Sequence, residues 1–373
     1  MDQRVKSERN EGIPMHSKSS ELASRPVFFE QNRVFRVYEG GALFADFFGD
    51  ESTDGNQPEE WIASSVKALN RDSTDPNEGL STIRGEELKF AELLKLEPEL
   101  MLGKGGNFEV LVKILDSAIR LPIQAHPDKA FSQKHFHSEH GKTEMWLVLA
   151  TRPDARIYFG FDRKLTKEQF SKSIELTLTD KQALTGYLNE VKVKPGEVYL
   201  IPAKTVHAIG YGCLILEVQE PTDFTIQPEY WCGDYQLNHY EMYLGLPKET
   251  ALDVFDFSIF GADCISLSRR TPKVKRSEAG VVLEDLIDHA DTPCFSVKRV
   301  TLEKASHVIE EGRCVCIVVS GQGELREHSG TKSGQTLRKG DYFFMPDSTK
   351  GIYQLATGHS LQVVQCFPPA NHS

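Results

Sequence analysis

Val191-Lys-Val-Lys-Pro195-Gly196-Glu-Val-Tyr-Leu-Ile201-Pro202-Ala-Lys-Thr-Val-His207-Ala208 is the stretch on which the fold turns. Its first residues alternate apolar and charged, which sends the two sets of side chains to opposite faces of an extended chain. Pro195-Gly196 then makes a turn, and Val198 to Ile201 is a short apolar strand. Pro202 lacks the donor a ladder needs and ends that strand, so His207 follows a few residues later. The same punctuation recurs at Leu337-Arg-Lys-Gly340-Asp-Tyr-Phe-Phe-Met-Pro346-Asp-Ser-Thr-Lys350, where a lysine stands near the histidine position. Ile317-Val-Val-Ser-Gly321-Gln-Gly-Glu-Leu325 supplies the matching turn. The doubled pattern points to two related β units of common ancestry, one carrying a site and one mainly structural.

Working outward, 373 residues suffice for two or three domains around a large core. A formal charge of −11 without a dense Lys/Arg patch argues against binding to nucleic acid or an anionic membrane. No apolar run reaches transmembrane length and the N-terminus is polar, so the expected location is the cytoplasm. Cys213, Cys232, Cys264, Cys294, Cys314, Cys316 and Cys366 form an odd set without a CxxC pair, which reads as reduced and mostly buried thiols.

Residues 1–25 are too polar to pack and are expected to form a disordered or loosely attached tail. Val27 to Ala45 mixes β-formers with a glycine pair, and Pro58 to Val66 is a second strand-like run with Trp61 inward. Glu86 to Leu102 places Leu88, Phe90, Leu93, Leu94 and Leu96 on one helical face. Leu111 to Leu115 is a buried strand carrying one cation, Lys113, and Leu121 onward is a strand that ends at Pro127. A helical insertion is expected over about 163–188, and the polar segment Arg269 to Gly280 reads as a linker. The expected organisation is a metal-binding unit over 26–268, the linker 269–280, and a C-terminal unit over 281–373 without metal ligands.

Gln124 and His126 lie two apart, which on a strand turns both side chains to one face. With Glu144 and His207 they make a set of imidazole, carboxylate and amide oxygen donors that suits zinc and leaves room for water or substrate. Manganese, iron, cobalt or nickel fit the same donors. The plainer alternative is four strand-end residues that are merely hydrogen-bonded.

Taken together, Gly40-Gly41, Trp61-Ile-Ala-Ser64, Lys113, Gln124-Ala-His126-Pro-Asp-Lys, Gly141-Lys142-Thr-Glu144-Met-Trp and the Pro195 to Ala208 segment resemble the type I phosphomannose isomerases, zinc enzymes of the cupin class. The resemblance covers most of the chain. It implies a mainly β fold of two cupin-type barrels, each a double-stranded β-helix or jelly roll, with a helical insertion. It makes Gln124, His126, Glu144 and His207 the ligands of one Zn²⁺. It implies a zinc-dependent aldose–ketose isomerase converting mannose 6-phosphate to fructose 6-phosphate through a cis-enediol. Lys113 and Lys142 match pocket lysines, Glu217 an inward carboxylate and Asp223 an aspartate at the pocket rim. Glu217 is the candidate proton carrier, with a metal-bound water as its rival, and Lys142 the candidate stabiliser of the enediolate charge. The alternative for Lys142 is a plain salt bridge. Ser64 is a further candidate for contact with the substrate.

Three positions depart from the family pattern. Pro122 stands where the family has serine, Gln227 where it has arginine, and Glu39 where it has tryptophan before the glycine pair. A neutral amide lacks the forked charged donors of guanidinium. Lys113, and Arg120 nearby in sequence, are the expected substitutes for holding a phosphate. The rival readings are an isomerase or epimerase of an unphosphorylated or different sugar, and a metal cupin that binds sugar without turnover.

Overall fold

The computed structural model describes residues 15–70, 73–330 and 334–370. Two sheets build the N-terminal part. The larger has seven strands, ordered Arg269–Arg270, Val198–Ile201, Glu144–Thr151, Cys213–Gln219, Leu111–Asp116, Glu59–Ile62 and Arg33–Val34. The smaller has Leu188–Lys192, Arg156–Phe161 and His207–Ile209. The turn at Pro195-Gly196 therefore carries the chain from one sheet to the other. Gly196 holds φ at +91°, a conformation in which a side chain would be strained.

Trp146, Tyr199 and Ile215 of the larger sheet meet Ile157, Phe159 and Ile209 of the smaller in one buried cluster. On its other face the larger sheet packs Val112, Met145, Leu216 and Val218 against Val315, Ile317, Phe344 and Val364 of the C-terminal part. Cys213–Gln219 is consequently buried at every position, which explains its nearly unbroken apolar run. Glu217 is the exception in that run, and it points toward the face that holds the site.

The C-terminal part is a ten-stranded sheet whose main path runs Val27–Phe28, Tyr342–Met345, Cys314–Glu327, Ser360–Phe367, Ser296–Glu303, Val281–Ile287 and Lys273–Glu278. The protein is mainly β and of the expected cupin-type class, but no closed barrel forms among the described residues. Single bridges attach the Gln124–Ala125 segment to the N-terminal part, Gln124 with His207 of the smaller sheet and Ala125 with Ile226.

Three local expectations are revised. Within the tail of residues 1–25, Met15–Leu22 is a helix with Ser19, Leu22 and Ala23 buried, and Ser19 and Ser20 both donate to Glu97, at 2.6 and 2.8 Å. Residues 1–14 lie outside the described residues. The supposed linker 269–280 is strand: Arg269 pairs with Tyr199 in the seven-stranded sheet, and Lys273–Glu278 is an edge of the ten-stranded one. Charged side chains keep such edges from pairing with other chains, so an edge strand imitates a linker in composition. The helix expected over 86–102 is two, Phe90–Leu96 and Pro98–Leu102, because the residue before a proline resists helical backbone. The insertion holds the helix Lys167–Leu176, opened by a Thr166/Gln169 capping box. No helix among the described residues is long and apolar enough to cross a membrane.

The two parts are also tied by charge. Glu60, fully buried, accepts from Tyr342 Oη at 2.6 Å and lies 3.0 Å from Arg33 Nε. Tyr342→Phe removes one donor to a buried carboxylate without changing shape, and is expected to cost about 1–3 kcal/mol in denaturant unfolding. A change below a few tenths would mean that the hydroxyl contributes nothing to the junction.

Candidate metal centre

The candidate centre takes its residues from pieces of chain that are distant in sequence. Glu144 is the first residue of its strand and pairs with Gln219 on one side and Ile201 on the other. His207 opens the Ile209 strand, and its N–H and carbonyl exchange hydrogen bonds of 2.9 Å with the backbone of Gln124. Ala125 is held likewise to Ile226 by a pair of 3.0 Å bonds, which places His126 at the end of the seam.

His126, Glu144 and His207 are at most 1% exposed, and their ligand atoms all lie within 4.8 Å of one another. His126 Nε2 stands 3.2 Å from Glu144 Oε2, and His207 Nε2 stands 3.4 Å from Glu144 Oε1. Gln124 Nε2 is 3.3 Å from His207 Nε2. The opposite ring nitrogens face backbone carbonyls, His126 Nδ1 that of Phe224 at 2.9 Å and His207 Nδ1 that of Thr205 at 2.8 Å. A carbonyl only accepts, so each Nδ1 carries the proton and each Nε2 turns a lone pair inward. Burial, followed by the nearby Lys142 charge, pushes the His126 imidazole down to about 3, and burial lowers His207 as well. Burial alone would raise Glu144, but His126 and Lys142 outweigh it and hold the carboxyl well below its usual range. Both Glu144 oxygens and His126 Nε2 are buried without a hydrogen-bond partner. Neutral imidazoles and an ionised carboxylate converging with unmet lone pairs are the donor set of a divalent cation.

A cavity of about 730 Å³ opens beside this cluster. Its lining brings together Gln124, Lys142, Glu217, Lys113, Asp223 and Gln227. Lys142 lies just before the Glu144 strand, on a segment whose Gly141 and Thr143 amides donate to Glu220, and its Nζ is 3.5 Å from Glu144 Oε2. Glu217 accepts from Trp146 Nε1 at 2.9 Å, and burial, with the Glu144 charge behind it, pushes its carboxyl up to about 7. Lys113 Nζ stands 3.6 Å from both Glu217 and Glu59. Gln227 Nε2 donates to the Glu241 carbonyl at 3.0 Å.

Two expected substrate residues are not at the cavity. Arg120 forks onto Glu229 at 2.7 and 3.1 Å, and the same carboxylate caps the Ile123 amide, so this guanidinium buttresses the Gln124 segment instead of facing ligand. Ser64 is fully buried, bonded to Val66 in the turn that ends its strand. Pro122 and Glu39 do line the cavity, where Tyr38 beside Glu39 supplies an aromatic ring.

Arg36 and Glu59 are the cavity residues that sequence reasoning passed over. Arg36 donates to both oxygens of Asp223, at 3.1 and 3.2 Å, to Glu59 at 3.0 Å and to Asn70 at 3.0 Å. Its segment is irregular, with no periodic signal to say that the guanidinium turns inward. For Glu59 a signal existed: it lies two residues before Trp61 on the same strand and so shares its inward face.

Mannose-6-phosphate isomerase ManA of Bacillus subtilis is 40% identical to this chain over 331 residues, covering 87% of this chain and 94% of the relative. The chain belongs to the mannose-6-phosphate isomerase family. A mannose-6-phosphate isomerase of Streptococcus mutans is 26% identical over 349 residues, covering 90% of this chain and 99% of that protein. The crystal structure of a mannose 6-phosphate isomerase from Bacillus subtilis superposes with a TM-score of 0.71 at 24% identity, covering 91% of this chain and 99% of that one. A mutant phosphomannose isomerase from Salmonella typhimurium has the same fold, with a TM-score of 0.68 at 15% identity over 93% of this chain and all of its own. No protein-family model matches.

If the converging lone pairs hold a cation, His207→Ala and Glu144→Gln should each weaken metal binding more than about tenfold, the scale at which even outer partners act. Competition against a chromogenic chelator measures this. Equal metal content in both variants and the parent would place the ion elsewhere.

Proposed function

We propose that the chain is a zinc-dependent aldose–ketose isomerase that interconverts mannose 6-phosphate and fructose 6-phosphate through a cis-enediol. The observation that carries this reading is the placing of a buried carboxylate, Glu217, and two ammonium groups, Lys113 and Lys142, beside the His126/Glu144/His207 cluster in one cavity. Family membership supports it independently.

His126, Glu144 and His207 would hold the zinc, with Gln124 as a fourth donor once its amide turns so that the oxygen replaces the Nε2 that faces His207. When bound, the ion supplies Lewis acidity toward the sugar's C1 and C2 oxygens. Glu217 removes the proton from C2 of the aldose and returns it to C1, so the carbonyl moves from C1 to C2 while a proton passes from O2 to O1. A carboxyl poised near 7 can serve in both directions, as a base on entry and an acid on return. Lys142 and Lys113 face the oxygens on which negative charge grows, in a buried setting where a fixed cation acts strongly. Asp223 and Gln227 line the approach to them. Two imidazole nitrogens and a carboxylate suit zinc, and the family resemblance favours it among the divalent ions that these donors fit. We place the enzyme in the cytoplasm, since all seven cysteines are free thiols and buried.

A second reading, an isomerase of an unphosphorylated sugar, has one observation in its favour. Carboxylates outnumber the cavity's cations, Arg36, Lys113 and Lys142, and every one of these cations already faces a carboxylate.

Assay with mannose 6-phosphate beside free mannose and fructose separates the two. Turnover confined to the phosphorylated sugar supports the first reading, turnover of the free sugars supports the second, and none with zinc present removes both. Glu217→Gln should lower kcat by about 10²–10⁴-fold while sparing metal content and sugar binding. Full activity in that variant would assign proton transfer to another group.

A further inference from the structure

Glu59 is a buried carboxylate of the cavity to which the reaction above gives no task. It accepts from Trp61 Nε1 at 2.6 Å and from Tyr38 Oη at 2.8 Å. Arg36 Nε lies 3.0 Å away and Lys113 Nζ 3.6 Å away. Lys113 stands at the same 3.6 Å from Glu217, and Arg36 reaches Asp223. The signs therefore alternate from the rim to the proton carrier: Asp223, Arg36, Glu59, Lys113, Glu217.

Two features single out the middle member. Its hydrogen bonds from the Trp61 indole and the Tyr38 hydroxyl fix both carboxylate oxygens, so it is an anchored charge and not one that follows its partners. The gap from Lys113 to each carboxylate is wider than a direct charge-assisted bond, about 2.7–2.9 Å, so the ammonium sits between two carboxylates at equal distance, with the Trp61 ring 4.8 Å away. Remove one attraction and the other closes. Lys113 would then seat on Glu217 as a tight ion pair, occupying the lone pair that must meet a carbon-bound proton.

We propose that Glu59 is the positioning residue of the reaction, holding the Lys113 ammonium off Glu217 so that this carboxylate stays free to carry the proton. This rests on the isomerase reading above and adds to it a group that never touches the sugar. Neither the distance nor the alternation was visible in the sequence, because Glu59 and Lys113 meet only through pairing of the Glu59–Ile62 and Leu111–Asp116 strands, where Lys113 lies opposite Trp61.

The test uses the full chain, metal-loaded, as Glu59→Gln, Glu59→Asp, Lys113→Met and the double variant Glu59→Gln/Lys113→Met. Glutamine removes the charge and keeps one accepting oxygen, which can stay on Trp61 Nε1 while its NH2 turns to Tyr38 Oη, whereas aspartate keeps the charge and withdraws it by one methylene. Each is expected to lower kcat about tenfold or more with KM changed less than about threefold, and with metal content unaltered. Should Glu59→Gln not fold, Glu59→Asp carries the same expectation. Because Glu59 acts through Lys113, the double variant should be no slower than Lys113→Met alone. In a crystal of Glu59→Gln the ammonium should lie at direct hydrogen-bond distance from Glu217. Losses that multiply in the double variant, or a Lys113 that does not move, overturn the proposal. If the parent turns over no sugar, the isomerase reading fails, and the position of Lys113 in that crystal still decides what Glu59 does.

Discussion

A carboxylate sealed from water must be paid back in opposite charge or lone-pair acceptance, and Glu144 sets that demand for the whole N-terminal part. It is fully buried, ionised, and faces two imidazoles and one ammonium. An isolated charge in that setting is far costlier than any single packing contact. The surrounding backbone leaves that compensation to a cation: two Nδ1–H groups are tied to carbonyls, so both Nε2 lone pairs turn toward the carboxylate and cannot themselves stabilise it.

The sheets explain how residues 63 positions apart, Glu144 and His207, come to share a site. Glu144 belongs to the larger sheet and His207 to the smaller, and Gln124 is bridged to His207, which sets His126 two residues further on. Because the larger sheet is buried on both faces, against the smaller sheet in front and the C-terminal sheet behind, its strands have no freedom to slide. The C-terminal part thus contributes rigidity to a site in which it supplies no ligand. Glu59 and Glu60 mark the division: adjacent residues of one strand, the first turned to the cavity and the second bonded to Tyr342.

Much of this was legible beforehand where the physics is local. Alternation, the Pro-Gly turn and a terminal proline specify strands at Leu188–Lys192 and Val198–Ile201, whereas the strand expected from Leu121 to Pro127 reduces to isolated bridges at Gln124 and Ala125. What failed to show was orientation and partnership at a distance. Arg120 and Ser64 lie near site residues in sequence but are consumed by Glu229 and by a turn. Arg36 sits in a stretch without periodicity, yet reaches the cavity. Composition also misleads at edges: Lys273–Glu278 is exposed throughout and charged at four of its six residues, hence linker-like, and still pairs along its length with Val281–Ile287. Met15–Leu22 has a weak apolar face, and it is held down by the serine contacts to Glu97, by Leu22 in the core and by an ion pair of Lys18 with Glu86.

The central claim is that the His126, Glu144 and His207 lone pairs enclose a metal ion. Anomalous X-ray diffraction from crystals of the protein as purified, collected on both sides of the zinc absorption edge, tests it most directly. The account predicts one strong peak per chain, bonded to both Nε2 atoms and to Glu144, that vanishes below the edge. A site filled by water alone in crystals grown with excess zinc would contradict it.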